Sequence, residues 1–145
     1  MTGTFLSDDF NGALLDNVWS FAGVAGSLGL GSSGDEAFLI LSAPAGVDTD
    51  PFDENLAVRA LQAIDDEDFQ LEARFLTEPS QRFQLQGLMV EQDANNWIRF
   101  DVYFNGQDLN IYAGVTTNGD TATQINLAIP PGSAEHIRVT RTGDQ

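Results

Sequence analysis

The feature that most constrains this chain is a strict two-residue alternation in its second half, interrupted by turn-forming dipeptides. Across residues 97–104, Ile98, Phe100, Val102 and Phe104 share one parity, while Trp97, Arg99, Asp101 and Tyr103 share the other. Across residues 109–115, Leu109, Ile111, Ala113 and Val115 oppose Asn110, Tyr112 and Gly114. Successive side chains of a strand point to opposite faces, so each stretch reads as a strand with an apolar core face and a polar face that carries aromatics. Asn105-Gly106 lies between the two, and this dipeptide accepts the positive φ angles of a tight hairpin. The two strands are expected to pair antiparallel.

The same pattern extends along the chain. Strand-like runs also occupy residues 4–6, 37–42, 57–63, 69–76, 83–92, 123–129 and 136–141. Residues 31–34, 118–120 and 130–132 carry the glycine, asparagine and proline of turns between them. No 3.6-residue periodicity lasts long enough for a substantial helix, although the alanines and leucines of residues 56–64 would also suit one. Many short strands at this spacing predict an all-β, antiparallel sandwich. The run 83–92 sorts badly, because Gln84 and Gln86 share parity with Leu88 and Val90. A bulge near Gly87 would restore the sorting, since one extra residue switches faces.

Composition narrows the partners. The 145 residues hold 22 acidic and 6 basic side chains, a formal net charge of −16, and every basic residue is arginine. Such a chain repels polyanions and lacks the basic stripe that nucleic acid requires. No apolar run approaches the roughly 18 residues of a membrane-crossing helix, so membrane insertion is not expected. At 42% hydrophobic and 10% aromatic the chain has material for one core, so a single domain is expected over residues 1–145. Without cysteine, neither a disulfide framework nor a thiolate zinc site is available. Met1-Thr2-Gly3-Thr4 leads straight into domain-like sequence, which fits a domain cut from a larger secreted polypeptide.

Several segments carry a family likeness. They are Asp8-Asp9-Phe10-Asn11-Gly12 with Leu15-Asp16 and Trp19, then Arg59-Ala60-Leu61-Gln62, then Asp68-Phe69-Gln70-Leu71-Glu72. Gln86-Gly87-Leu88-Met89-Val90-Glu91-Gln92-Asp93, Trp97-Ile98-Arg99-Phe100-Asp101 and Ile137-Arg138-Val139-Thr140-Arg141-Thr142-Gly143 follow. In this order they resemble the concanavalin A-like lectin/glucanase superfamily, most of all its laminin-G-like and bacterial β-xylosidase C-terminal-domain types. The resemblance implies a jelly-roll β-sandwich of two curved sheets, extracellular or at the cell surface, attached to glycan-active or adhesive proteins. In such domains the Arg-x-Gly turn leads on to a tryptophan-bearing strand and two or three more. The expectation is therefore an N-terminal portion of a longer domain. Its edge strand at residues 136–141 would be completed by another polypeptide segment or by a second copy.

The chemistry expected is recognition and not catalysis. Glucan-cleaving sites need two carboxylates about 5–5.5 Å apart for retention, carried on alternating strand positions. The acidic run Asp65-Asp66-Glu67-Asp68 is contiguous and reads as a charged connector, while Glu91 and Asp93 lack a third partner at the required step. The lone histidine, His136, has no nucleophile pattern around it, and no glycine-rich phosphate loop is present. The polar face is the candidate site: Arg59, Glu91, Arg99 and Asp101 with Trp97, Tyr103 and Tyr112. A sugar needs a flat π surface for its C–H face and fork-like donors or carboxylates for its hydroxyls, and this set supplies both. The other reading of the same set is a charge network that holds the fold in register. Asp48, Asp50 and Asp53 offer oxygen ligands of the kind calcium takes, although Pro51 and the missing glycine turn depart from the EF-hand pattern. The leading expectation is a non-catalytic carbohydrate-binding module, with a structural or assembly module as the alternative and a glycoside hydrolase third.

Overall fold

The computed structural model describes residues 5–23 and 26–143. All regular structure among them is β-strand, and every strand pair is antiparallel. The chain divides into two compact units: one from Met1–Thr49 with Leu56–Glu67, the other from Asp50–Asn55 with Asp68–Gln145.

The first unit holds β1 (Ser20–Ala22), β2 (Ser27–Ser33), β3 (Glu36–Ser42) and β4 (Arg59–Leu61), paired β1 with β4 and β2 with β3. Strand β2, Ser-Leu-Gly-Leu-Gly-Ser-Ser, alternates only leucine with glycine and is poor in strand formers. Its partner selects it. A Cβ on Gly31 would stand 2.4 Å from the Phe38 ring, so the glycine makes room for the cross-strand aromatic. The turn expected at residues 31–34 is confined to Gly34-Asp35, because Gly31, Ser32 and Ser33 belong to β2, with Ser33 opposite Glu36 and Gly34 at φ 61°. Of the expected run 57–63 only β4 is strand. Of the run 4–6, Thr4 lies outside the described residues, and Phe5 and Leu6 are not strand.

The second unit holds β5 (Phe69–Arg74), β6 (Leu85–Asp93), β7 (Asn96–Phe104), β8 (Leu109–Thr117), β9 (Asp120–Ile129) and β10 (His136–Arg141). Strands β6–β7–β8–β9 form a four-stranded meander, and β10 pairs with β5 along all six of its residues. The expected unpaired edge at residues 136–141 is thus half-satisfied within the chain, with Val139 opposite Leu71 and buried. The two-residue asparagine–glycine turn with both φ values positive is Asn118-Gly119, between β8 and β9. Asn105-Gly106 instead starts a four-residue loop, in which the Asn105 side chain accepts the amides of Gln107 and Asp108, both at 2.8 Å.

Two expectations about the meander are corrected. Gly87 carries no bulge: it sits in continuous register opposite Asp101, where a Cβ would stand 2.2 Å from the Phe100 carbonyl oxygen. Glycine is there because the neighbouring strand comes too close for a side chain. The register shifts fall between Glu91 and Asp93 on β6, and opposite Ala113/Gly114, where Gln124 of β9 is the extra residue. That second bulge moves Ile125, Leu127 and Ile129 onto the same face as Ala122. The second correction concerns which face is core. Val102, Leu109 and Ala113 of the apolar face are buried, but Ile98, Ile111, Ile125 and Leu127 on that face are exposed. The polar face contains the most deeply buried charges.

Candidate functional site

The polar face of the meander is built by register. Glu91, Trp97, Thr116 and Thr121 lie in one cross-strand row, and Met89, Arg99, Gly114 and Thr123 in the next. Gly87, Asp101, Tyr112 and Asn126 form the third row, and Leu85, Tyr103, Asn110 and Ala128 the fourth. Six of the seven expected ligand-binding residues therefore share one face. The seventh, Arg59, belongs to the other unit, where its Nη1 donates to the Ala57 carbonyl at 2.8 Å.

Arg99 is the centre of this face and is only 4% exposed. Its Nε donates to Asp101 Oδ2 at 2.6 Å, its Nη1 pairs with Asp50 Oδ1, and its guanidinium carbon stands 4.5 Å from the centroid of the Tyr112 ring. Asp101 is 3% exposed, and its second carboxylate oxygen, Oδ1, has no hydrogen-bond partner among the described residues. Burial works against the charged forms of both groups. For Arg99 it is outweighed by Asp101 and Asp50, which hold the guanidinium charged and its pKa above the ordinary value. For Asp101 burial wins, helped by the nearby Asp50 charge, and the carboxyl is pushed up in spite of Arg99.

The aromatics are fixed from the same side. Trp97 is 2% exposed and donates its indole N–H to the Pro51 carbonyl at 3.3 Å. Tyr112, 7% exposed, exchanges a hydroxyl hydrogen bond of 2.9 Å with Thr123 and meets Tyr103 edge-on at 6.1 Å. Tyr103 is half-buried and donates to Asn126 Oδ1 at 2.9 Å. Glu91 is half-buried and accepts from Asn55 Nδ2 at 3.4 Å. A stacking platform for sugar needs an open ring face, and two of the three aromatics have none.

The segment Asp50–Asn55 is the element that sequence reading placed apart from this site, and the structure seats it on this face. Asp50 neutralises Arg99, Pro51 caps Trp97, and Asn55 reaches Met89 and Glu91. Asp53, at φ 62°, exchanges two 2.8 Å bonds with Thr121, its amide donating to the hydroxyl and its carboxylate accepting from the Thr121 amide. The carboxylates of Asp50 and Asp53 therefore turn to different partners, and Asp48 belongs to the other unit. Among the described residues no three metal-binding side chains gather. The signal for this segment was present in its composition, since a proline in an acid-rich stretch is a poor strand and its carboxylates suit a buried cation.

Compared with known proteins, the chain matches no family model, no curated protein and no solved structure.

Proposed function

We propose that the chain is a non-catalytic assembly module, part of a concanavalin A-like jelly-roll sandwich of the extracellular type, whose sheet edge and apolar sheet face are completed by another polypeptide. The observation that carries this reading is the exposed apolar surface of β7–β8–β9: Leu127 is 63% and Ile125 44% exposed, beside Ile98 and Ile111. Contiguous apolar surface of this kind marks an interaction site more often than an isolated leucine does. The polar face, by contrast, pairs Arg99 with Asp101 and Asp50 and Trp97 with the Pro51 carbonyl.

The test is binding of Nile red, an uncharged dye that a −16 chain does not repel. Folded protein at low micromolar concentration is expected to enhance its fluorescence, and Ile125→Ser with Leu127→Ser to remove most of the enhancement. A folded protein that leaves the dye dark refutes the reading.

Carbohydrate recognition is the second reading. It is favoured by the unpartnered Asp101 Oδ1 and by Tyr103 with Asn126 at the open end of the polar face. A glycan array on the wild type and Tyr103→Ala decides it: binding that survives the substitution does not use this face.

A further inference from the structure

The assembly reading leaves the occupant open, and β9 identifies one. We propose that the chain pairs with a second copy of itself, antiparallel, through the outer edge of β9; this rests on the assembly reading above.

Strand β9 ends the meander, and among the described residues no strand pairs with its outer side. Its first turn of edge is covered, because the Thr121 amide donates to Asp53 Oδ1. From Ala122 to Ile129 the strand is exposed at every position except the last, which is half-buried. An open edge is a row of unpaired amides and carbonyls, and proteins usually guard it with charge, proline or an irregularity. Here the guards are missing where they would matter. The bulge sits at Gln124, and the stretch beyond it, Ile125-Asn126-Leu127-Ala128-Ile129, has no charge and no proline.

Charge distribution suits a second copy and disfavours a basic partner. The chain carries 22 acidic residues, yet between Leu109 and Ile129 the only ionisable carboxylate is Asp120, and there is no arginine. Beyond Asp120 and the Asp53 carboxylate at the start of the strand, a basic partner would find nothing to hold it at this edge. Two copies meet there without opposed charges, while the repulsion between the rest of each chain is screened over about 8 Å at physiological salt. The strand is also self-complementary. An antiparallel pairing centred on Asn126 sets Ile125 of each copy against Leu127 of the other, all four on the apolar face. Because the two strands are identical, the pairing is two-fold and closes at a dimer.

The test uses sedimentation velocity from about 5 µM to about 500 µM in 0.15 M salt, together with cysteine capture. The chain has no cysteine, and Cα atoms of directly opposed antiparallel residues lie about 4.5–5.5 Å apart, within disulfide range. Asn126→Cys is expected to give a disulfide-linked dimer under mild oxidation, and Thr140→Cys, on the exposed side of β10, is the comparator. Leu127→Lys is expected to weaken association at least ten-fold; should that variant not fold, the cysteine capture decides. A wild type monomeric throughout, or a Thr140→Cys that links as fast as Asn126→Cys, overturns the inference. Nile red separates the two failures: if dye binding persists in a monomer, the occupant is a foreign chain, and if it is absent, the assembly reading falls as well.

Discussion

Replacing Arg99 with methionine removes a cation that Asp101 and Asp50 share. Methionine fills similar volume, so the perturbation is electrostatic. Asp101 would then be a buried carboxylate whose Oδ1 already lacks a partner and whose Oδ2 has lost its own. Breaking one side of a buried pair costs about 3–5 kcal/mol. For domains of about 150 residues each kcal/mol moves Tm by roughly 2–4 °C, so the expected fall is roughly 6–20 °C at pH 7. The deficit also has a pH signature. Burial already raises the Asp101 carboxyl in the fold, opposed by Arg99. A carboxyl raised in the folded state contributes most favourably below its unfolded value of about 3.9, and that contribution is lost as pH rises through the folded value. Without Arg99 the folded value climbs further, so the deficit opens above about pH 4 and grows as pH rises toward the folded value. Asp101→Asn in the same variant removes the stranded charge and is expected to recover much of the loss, a coupling that a double-mutant cycle reads directly. Thermal unfolding followed by the fluorescence of Trp97, in a Trp19→Phe background, is the assay. A fall of less than about 3 °C at pH 7, or the same deficit at pH 4 and pH 7, would refute the argument and return Arg99 to the candidates for ligand contact.

Three further outcomes follow from the same geometry. Gly87→Ala drives a methyl group against the Phe100 carbonyl and the Asp101 backbone, and overpacking against main chain is expected to cost about 3 kcal/mol or more by urea unfolding. Trp97→Phe removes the indole bond to Pro51 from a buried position, which should lower stability by about 1–2 kcal/mol and leave dye binding by the opposite face unchanged. Tyr103→Phe deletes an exposed hydroxyl bond to Asn126, so unfolding should shift by no more than about 0.5 kcal/mol, whereas any glycan that uses this corner would lose affinity in a titration.

The sequence by itself determined that this chain is built of antiparallel strands, where most of them lie, and which residues share a face. Those properties are local. The alternation in β7 and β8 follows from strand geometry, and asparagine–glycine turns follow from the φ values those residues tolerate. Even there the choice between Asn105-Gly106 and Asn118-Gly119 for the two-residue turn was made by register, because Phe104 pairs with Leu109 and Thr117 with Asp120. Strand β2 was not legible in the sequence because glycine is a poor strand former and its place is set by Phe38 on β3. The candidate site was legible as a set of residues on one face and illegible as a site, since alternation defines two faces without saying which is covered. Coverage came from Asp50, 49 residues away from Arg99 along the chain, and from Pro51, 46 away from Trp97. No local rule reaches that far. Whether a charge meets water or another charge is a property of how distant segments pack, and here packing put Arg99 and Asp101 inside and left isoleucine and leucine facing out.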